Sequence, residues 1–518
     1  MEEHVPDVTV VVAVYNTMPY LTECLESLFA QSIGTDRLQV VAVDDGSTDG
    51  GGAELDRWAA RFPDSMVVLH QPNSGGPAGP SNLALEHATG RYVFFVGSDD
   101  RLGAEALERL VRAADELDAD VLLGRLVGAG GRYVNQAVFR PGDQDDISLA
   151  DAQLSWALSN TKLFRRSLIE EHGIRYPEDM ASCSDQPFTI RALLAARRIA
   201  VRTGYEFYYA VRRTDSSNIT FRTSVTRFLH DTETLMAFAD TLITEPRARF
   251  NVLRRHFSWE VSKLVGARFL AAGPEDREAV RQGVAKLVES YLTDEVRRSL
   301  DVRHRVAISV AQHGTADDVA AVAEHYAEHG AGPLVHDGGR FYAAFPGFRA
   351  GGFPDEWFDA TAEAYKGEHQ LGPARLAWGR TADGRPALTA SWPTWLPAQP
   401  DEAEPVLRIS GGLDVPVAVR GEFGQVTATA AIPLDALAGG RPRLGPRAVS
   451  FVRTAEGQKA RYPLSIKDVS AVRGRLHRVG ARMFLIGVAP DKDGALRLVV
   501  LPLAVGQLAR GLRRKLGR

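Results

Sequence analysis

With 518 residues, 45% of them hydrophobic and 24% charged, the chain has ordinary globular composition and room for about two to four domains. A formal net charge of -4 argues against a general polyanion binder: nucleic acid is not expected as a partner, and contact with anionic lipid would need a local basic patch. Two cysteines far apart in sequence, Cys24 and Cys183, suggest neither a disulfide framework nor a zinc site, but free thiols of a reducing compartment. The start, Met1-Glu2-Glu3-His4, lacks a basic region followed by an apolar core, and no apolar run reaches about 18 residues, so a cytoplasmic, non-spanning protein is expected.

The run from Val8 to Asn16 is rich in β-branched residues and reads as a strand buried on both faces. Leu38 to Val43 and Arg91 to Val96 are two more such strands, and each delivers carboxylates at its carboxyl end, Asp44-Asp45 and Asp99-Asp100. Helical patterns separate them over Tyr20 to Gln31, Ala53 to Phe62 and Ser81 to Thr89. That alternation predicts an α/β fold with right-handed crossovers on a mostly parallel sheet, which keeps its ligands at the carboxyl ends of the strands.

Further on, Gly103 to Leu117 reads as an amphipathic helix, Asp120 to Leu126 as a short strand, and Ser155 to Ile174 as strand or loop followed by a helix. Asp185 precedes the apolar-periodic run Phe188, Ile190, Leu193, Leu194 and could be an N-cap, while Ala200 to Val211 alternates like one strand. Long helices are expected over Val225 to Leu242, Arg249 to Ala271 and Arg277 to Leu292, then short strands with Gly and Pro turns from Ala374 to Leu503, the pattern of a small β-sandwich. The expected domains are 1–222, a catalytic α/β domain; 223–335, a helical module packed on it; 370–503, the β-region; and 504–518, a basic tail with Leu508, Leu512 and Leu516 spaced four apart among Arg and Lys. Such a tail suits attraction to anionic lipid or to an anionic polymer.

Carboxylates at adjacent strand ends can hold a divalent metal through oxygen ligands, and such a metal can neutralise a departing diphosphate. A carboxylate on a separate loop, Asp185, could take the proton of an acceptor hydroxyl, with Glu178 and Asp179 in reserve. Five motifs in order, Val11 to Asn16, Val43 to Asp49, Asn73-Ser74-Gly75-Gly76-Pro77, Gly97-Ser98-Asp99-Asp100 and Ser184-Asp185-Gln186-Pro187-Phe188, make the first 220 or so residues resemble family 2 inverting glycosyltransferases with a nucleotide-diphospho-sugar donor and the GT-A fold.

The resemblance implies that the Ala13, Val14 and Tyr15 backbone and Asp44 hold the nucleobase and ribose. Asn73, Gly76, Pro77 and Ser98 would line the donor site, and Arg212 and Ser216 would close over the diphosphate. Asp99 would contact Mg or Mn, and Asp185 would be the catalytic base. Two positions depart from the family pattern: Gly97 stands where the first Asp of Asp-x-Asp-Asp belongs, and Ser81 where an Arg is common. The chain also resembles bacterial enzymes that decorate wall teichoic acids with N-acetylhexosamine. That likeness implies UDP-N-acetylglucosamine as donor, a polyol-phosphate polymer as acceptor, and a homo-oligomer joined through the β-region. A non-catalytic polymer-binding protein on a degenerate GT-A fold and a nucleotidyltransferase are the rival readings.

Overall fold

The computed structural model describes residues 5–213, 223–330, 334–337, 340–350, 352–363, 373–394, 403–421, 426–438, 446–455, 458–466, 472, 474–491 and 494–503. Ser216 and the basic tail over 504–518 lie outside them. The chain divides into two compact units, Met1–Leu300 with Ala307–Ala320, and Asp301–Val306 with Ala321–Arg518.

The first unit is built on ten strands: β1 Val8–Val14, β2 Leu38–Asp44, β3 Met66–His70, β4 Tyr92–Phe95, β5 Arg101–Leu102, β6 Val121–Gly124, β7 Leu126–Ala129, β8 Leu163–Arg165, β9 Ile199–Arg202 and β10 Tyr208–Val211. Seven form one sheet in the order β3-β2-β1-β4-β8-β6-β9; β8 runs antiparallel to both neighbours and the remaining pairs are parallel. Alternate residues of a strand face opposite sides. Val8, Val10, Val12 and Val14 accordingly enter one hydrophobic cluster with Leu38, Val40, Tyr92 and Phe94, while Val11 joins Val41, Val43, Val93 and Phe95 in the other. Both faces are dry, which is why these strands are continuous apolar runs rather than alternating ones.

Helices α1 Tyr20–Phe29, α2 Gly51–Arg61, α3 Ala78–Glu86, α4 Ala106–Leu117, α5 Arg166–Glu171 and α6 Asp185–Ala195 supply the crossovers. Strand β3 carries no expectation in the sequence reading, because its five residues lack a long apolar run. The expected single strand from Ala200 to Val211 is two strands in different sheets, β9 in the large one and β10 in the small sheet β5-β10-β7. The chain turns a corner at Thr203, whose backbone N–H and hydroxyl both donate to Asp143. The expected helix from Arg249 to Ala271 is likewise broken into Pro246–His256, a π-helical turn Phe257–Val261, Ser262–Leu264 and Ala267–Ala271. Val225–Leu242 and Pro274–Tyr291 are continuous helices of the same unit.

In the second unit two antiparallel sheets share one hydrophobic cluster. Strands Arg375–Arg380, Pro386–Thr394, Val426–Pro433 and Ala418–Arg420 make one; Leu413–Pro416, Ala403–Ile409, Pro446–Ala455, Leu496–Leu503, Arg482–Pro490 and Arg475–Val479 are successive neighbours in the other. Trp392 meets Phe451 edge to face at 5.1 Å across the layer, as in a β-sandwich.

Candidate active site

The parallel register brings the tips of β2, β1 and β4 together. Val14 pairs with Asp44 and Val11 with Phe95, so the carboxylates that follow β2 and β4 flank the Ala13–Tyr15 turn. Hydrogen bonds tie the β1 and β2 loops: Asn16 N–H donates to Ser47 Oγ at 3.2 Å, Thr48 N–H donates to Asn16 Oδ1 at 2.8 Å, and Met18 N–H donates to Asp49 at 2.7 Å. Asp44 accepts from Ser47 N–H at 2.9 Å and lies 3.1 Å from His70 Nδ1, whose other ring nitrogen is 3.0 Å from Asp56. These partners hold Asp44 below its usual carboxylate value against the opposing effect of burial, and the two carboxylates raise His70 above the usual imidazole value.

Asp45, which sequence alone reads as a turn former, is buried and builds the neighbouring loop. Its carboxylate accepts from Ser74 N–H at 3.0 Å, Ser74 Oγ at 3.0 Å and Gln71 Nε2 at 2.6 Å. Asn73 completes that turn, taking Gly75 N–H at 3.1 Å and donating to the Asp45 carbonyl at 3.1 Å. A Cβ on Gly76 would stand 3.3 Å from the Ala181 carbonyl, so the Gly-Gly-Pro turn lies against the approach to the Asp185 loop. A cavity of about 430 Å³ opens here, lined by Ser74, Gly75, Gly76, Gly79, Glu178, Met180, Ala181 and Arg227. Asn82 fixes one lining residue by donating to Glu178, and it also donates to the Tyr176 carbonyl, each at 2.9 Å. Ser81, where an Arg is common, is buried within α3.

After β4 the two carboxylates part in role. Asp100 is buried; it accepts from Tyr208 OH at 2.6 Å and Val211 N–H at 2.7 Å, with Arg132 at 3.3 Å. Burial and the adjacent Asp99 push Asp100 up to about 6. Asp99 is half-buried and, among the described residues, takes no hydrogen bond or ion pair. A hard oxygen donor left open beside a carboxylate already engaged fits Mg or Mn, which keeps one or two protein carboxylates and fills its other positions with phosphate oxygens and water. Gly97 is explained by the same packing: a Cβ there would sit 2.9 Å from Asp100 Oδ2 and 3.3 Å from Asp99 Oδ1, and its N–H donates to Tyr208 OH at 3.0 Å. Buried Ser98 lies between them.

Asp185 is the first residue of α6. The N-cap is Ser184, whose side chain makes no capping bond, so Asp185 is not the expected cap. Phe188, one turn on, packs edge to face on Phe95 of β4 at 5.2 Å and stacks on Tyr176 at 4.4 Å. Asp185 therefore approaches the same strand that leads to Asp99. The loop before it is clamped by buried Asp231, which accepts from Ser182 N–H at 2.9 Å and Ser182 Oγ at 2.7 Å. Burial raises the Asp185 carboxyl above its ordinary value, opposed by Arg255 and Lys162. Lys162 is itself buried and driven down to about 7.

The sequence reading missed what holds this loop from the helical side. Gln186 donates to Glu260 at 3.0 Å and accepts from Arg255 at 2.7 Å, and Arg255 also pairs with Glu260; all three are buried. Glu260 belongs to the π-helical turn, a local widening found often at functional sites. Of the reserve bases, Glu178 and Asp179 are exposed, with Glu178 engaged by Asn82. Arg212 leaves β10 next to the Val211 bond to Asp100, with its side chain exposed, whereas Arg213 is committed to the Asn16 carbonyl at 3.0 Å. Tyr15 is exposed at the rim.

Residues 9–173 match the family described as glycosyl transferase family 2, and residues 227–323 match the glycosyl transferase TarS linker domain. Over 205 residues the chain is 37% identical to the poly(ribitol-phosphate) beta-N-acetylglucosaminyltransferase TarS of Staphylococcus aureus, a stretch that is 40% of this chain and 35% of that protein. The match thus spans about a third of that curated relative. The crystal structure of S. aureus TarS shares the fold at a TM-score of 0.61 and 21% identity, over 97% of this chain and 86% of that one. The structure of S. aureus TarS 1–349 in complex with UDP-GlcNAc matches at a TM-score of 0.55 and 28% identity, over 65% of this chain and 97% of that one.

Proposed function

Because the chain belongs to glycosyl transferase family 2 through residues 9–173, we propose that it is an inverting glycosyltransferase moving N-acetylhexosamine from a UDP-sugar to a hydroxyl of a polyol-phosphate polymer. The observation that carries this reading is the packing of Phe188 on Phe95, which brings Asp185 to the strand that leads to Asp99. The names of S. aureus TarS and of its UDP-GlcNAc complex support the donor and the acceptor class.

In this reading Asp44 and the Ala13–Tyr15 turn hold the nucleoside, the Asn73–Pro77 turn shapes its pocket, and exposed Arg212 meets the diphosphate. Asp99 would hold Mg or Mn, which when bound supplies positive charge to the departing diphosphate. Asp185 takes the proton of the acceptor hydroxyl, the oxygen attacks the anomeric carbon from the face opposite UDP, and the single displacement inverts the centre. Asp100 does not share the metal's charge on equal terms, because its lone pairs already serve Tyr208, Val211 and Arg132. The two free cysteines agree with a cytoplasmic site of action, with the 504–518 tail resting on anionic lipid or polymer; among the described residues no helix is long and apolar enough to cross a membrane.

The test is UDP release from a panel of UDP-sugars with a polyol-phosphate acceptor, with and without Mn, for the native chain, Asp185→Asn and Asp99→Asn. Metal-stimulated release that vanishes in Asp185→Asn and loses its metal response in Asp99→Asn is expected. Clear UDP binding without turnover, for every donor and acceptor, would move the chain to the polymer-binding class.

A further inference from the structure

Lys162 is a buried cation that the reaction as described leaves without a task. It is 1% exposed, and among the described residues its ammonium meets no carboxylate at ion-pair distance and donates only to the Ser159 carbonyl. Taking a lysine out of water without an ion pair is costly, and burial drives it down to about 7, with the Asp185 carboxylate pulling the other way.

The strand pairing shows why this charge stands where it does. β8 runs antiparallel to β4 with Leu163 opposite Phe94, so Lys162, one residue before β8, arrives at the carboxyl end of β4, the end that leads to Asp99. Two residues on, Phe164 meets the Phe188 ring edge to face at 5.4 Å, and Asp185 lies one helical turn before Phe188. From that shared contact the helix steps back to Asp185 by about 4.5 Å and the strand reaches back to Lys162 by at most about 6.6 Å. Each group accordingly lies in the electrostatic field of the other. The lysine's loop is also fastened to α6: Lys162 N–H donates to the Asn160 carbonyl at 2.7 Å, and the Asn160 side chain donates to the hydroxyl of Tyr176, whose ring stacks on Phe188.

The other charges around Asp185 are matched. Arg255 acts on it more strongly than Lys162 does, but Arg255 is paired with Glu260, which acts in the opposite sense. On the helix Val225–Leu242, packed on α6, Asp231 is paired with Arg227 at 3.2 Å, and on α5 Arg166 is paired with Glu170. Tyr176 and Cys183 also stand in the field of Asp185, and burial keeps both protonated.

We propose that Lys162 is a positioning residue for Asp185: its ammonium, anchored on the Ser159 carbonyl, is the counter-charge that keeps the Asp185 carboxylate ionised and ready to accept the proton of the acceptor hydroxyl. This rests on the glycosyltransferase reading for its consequence. The hydroxyl proton passes to Asp185, and Lys162 keeps its own proton throughout. Activity then requires Asp185 ionised and Lys162 protonated together, which confines it to pH values above the raised Asp185 value and below the point at which Lys162 discharges.

The experiment uses the full chain and compares the native protein with Lys162→Met and Lys162→Arg, following transfer to an oligomeric ribitol phosphate across pH, UDP binding by calorimetry, and Tm. Without the cation, Asp185 holds its proton to higher pH. The acid limb of kcat/KM in Lys162→Met should therefore move up by about one unit or more, which lowers the rate about tenfold on that limb and restores it as the pH is raised. UDP affinity should not change, and Tm should hold, since Asp185 can take a proton instead of staying an unmatched charge. Lys162→Arg should retain activity and lose the alkaline limb, because a guanidinium does not discharge in this range. An acid limb in Lys162→Met at its native position would overturn the proposal, as would loss of activity at every pH, which would give Lys162 a part in the architecture instead. A second measurement needs no turnover: urea unfolding of Lys162→Met, Asp185→Asn and the double variant at neutral pH should give effects that do not add, and additive effects would overturn the pairing. If the native chain transfers no sugar at all, the glycosyltransferase reading fails by itself, and this cycle still decides whether the two groups act on each other.

Discussion

Gly97 shows how one missing side chain sets the roles of its neighbours. A carboxylate at 97 would crowd Asp100 Oδ2 at 2.9 Å from its Cβ and add a further negative charge beside Asp100, which burial and then Asp99 already push up to about 6. Gly97→Asp, which restores the commoner family pattern, should therefore lower stability by about 1–3 kcal/mol and weaken activity rather than improve it; urea unfolding and UDP-release rates check both, and a gain in metal affinity with unchanged stability would contradict it. Asp185 gives the second expectation at this scale. Burial raises its folded pKa above the unfolded value, so the folded chain binds that proton more tightly and the ionised group costs stability as pH rises from the ordinary carboxylate range, near 4, through the raised value. Asp185→Asn should be inactive yet at least as stable as the native chain at neutral pH. The acid limb of kcat/KM should lie above the ordinary carboxylate range; a limb at about pH 4 would show that burial does not govern this group.

At the scale of elements, the π-helical turn Phe257–Val261 and helix α6 are fastened by Gln186, Arg255 and Glu260. Glu260→Gln keeps the shape but leaves Arg255 charged and buried without its partner, a loss of about 3–5 kcal/mol. Replacing both, Arg255→Met with Glu260→Met, should cost far less stability, yet transfer should still fall because Gln186 loses both tethers. Equal stability of the single and double variants, measured by denaturant unfolding, would show the pair to be unimportant. This fastening was not legible in the sequence, and the reason is physical: Gln186 and Arg255 are 69 positions apart, and burial of a polar triad leaves no apolar period to read. The strand tips were legible because β1, β2 and β4 are dry on both faces, a constraint written residue by residue into Val8–Val14 and its neighbours. The corner at Thr203 was not, since Asp143, sixty residues away, makes it. Asp45 on its own looks like an ordinary turn residue for a similar reason, because its partners Gln71 and Ser74 lie on another loop.

For the whole molecule, the second unit carries the remaining expectation, that copies of the chain associate through the β-region. On the sheet containing Arg475–Val479, Arg482–Pro490 and Leu496–Leu503, Leu476 pairs with Leu485 and Leu485 with Leu501, so three leucines form a row across three strands. Phe484, Ile486, Leu498 and Val500 alternate with them into the core, which sends the leucine row to the outer face; Leu476 is 50% and Leu501 43% exposed. Arg475–Val479 is also a terminal strand of that sheet, and a strand edge beside aliphatic side chains invites pairing with another chain. We expect the full chain to run as a homo-oligomer in light scattering, and the double variant Leu476→Glu with Leu501→Glu to run as a monomer with an unchanged Tm, since neither side chain belongs to the core. Transfer to a short acceptor should survive in that variant, because the donor and base residues all lie in the first unit, whereas processing of a long polymer should decline as several linked sites become one. An oligomer of the same mass in the native chain, in the double variant and in a chain truncated after Gly372 would remove the β-region from assembly.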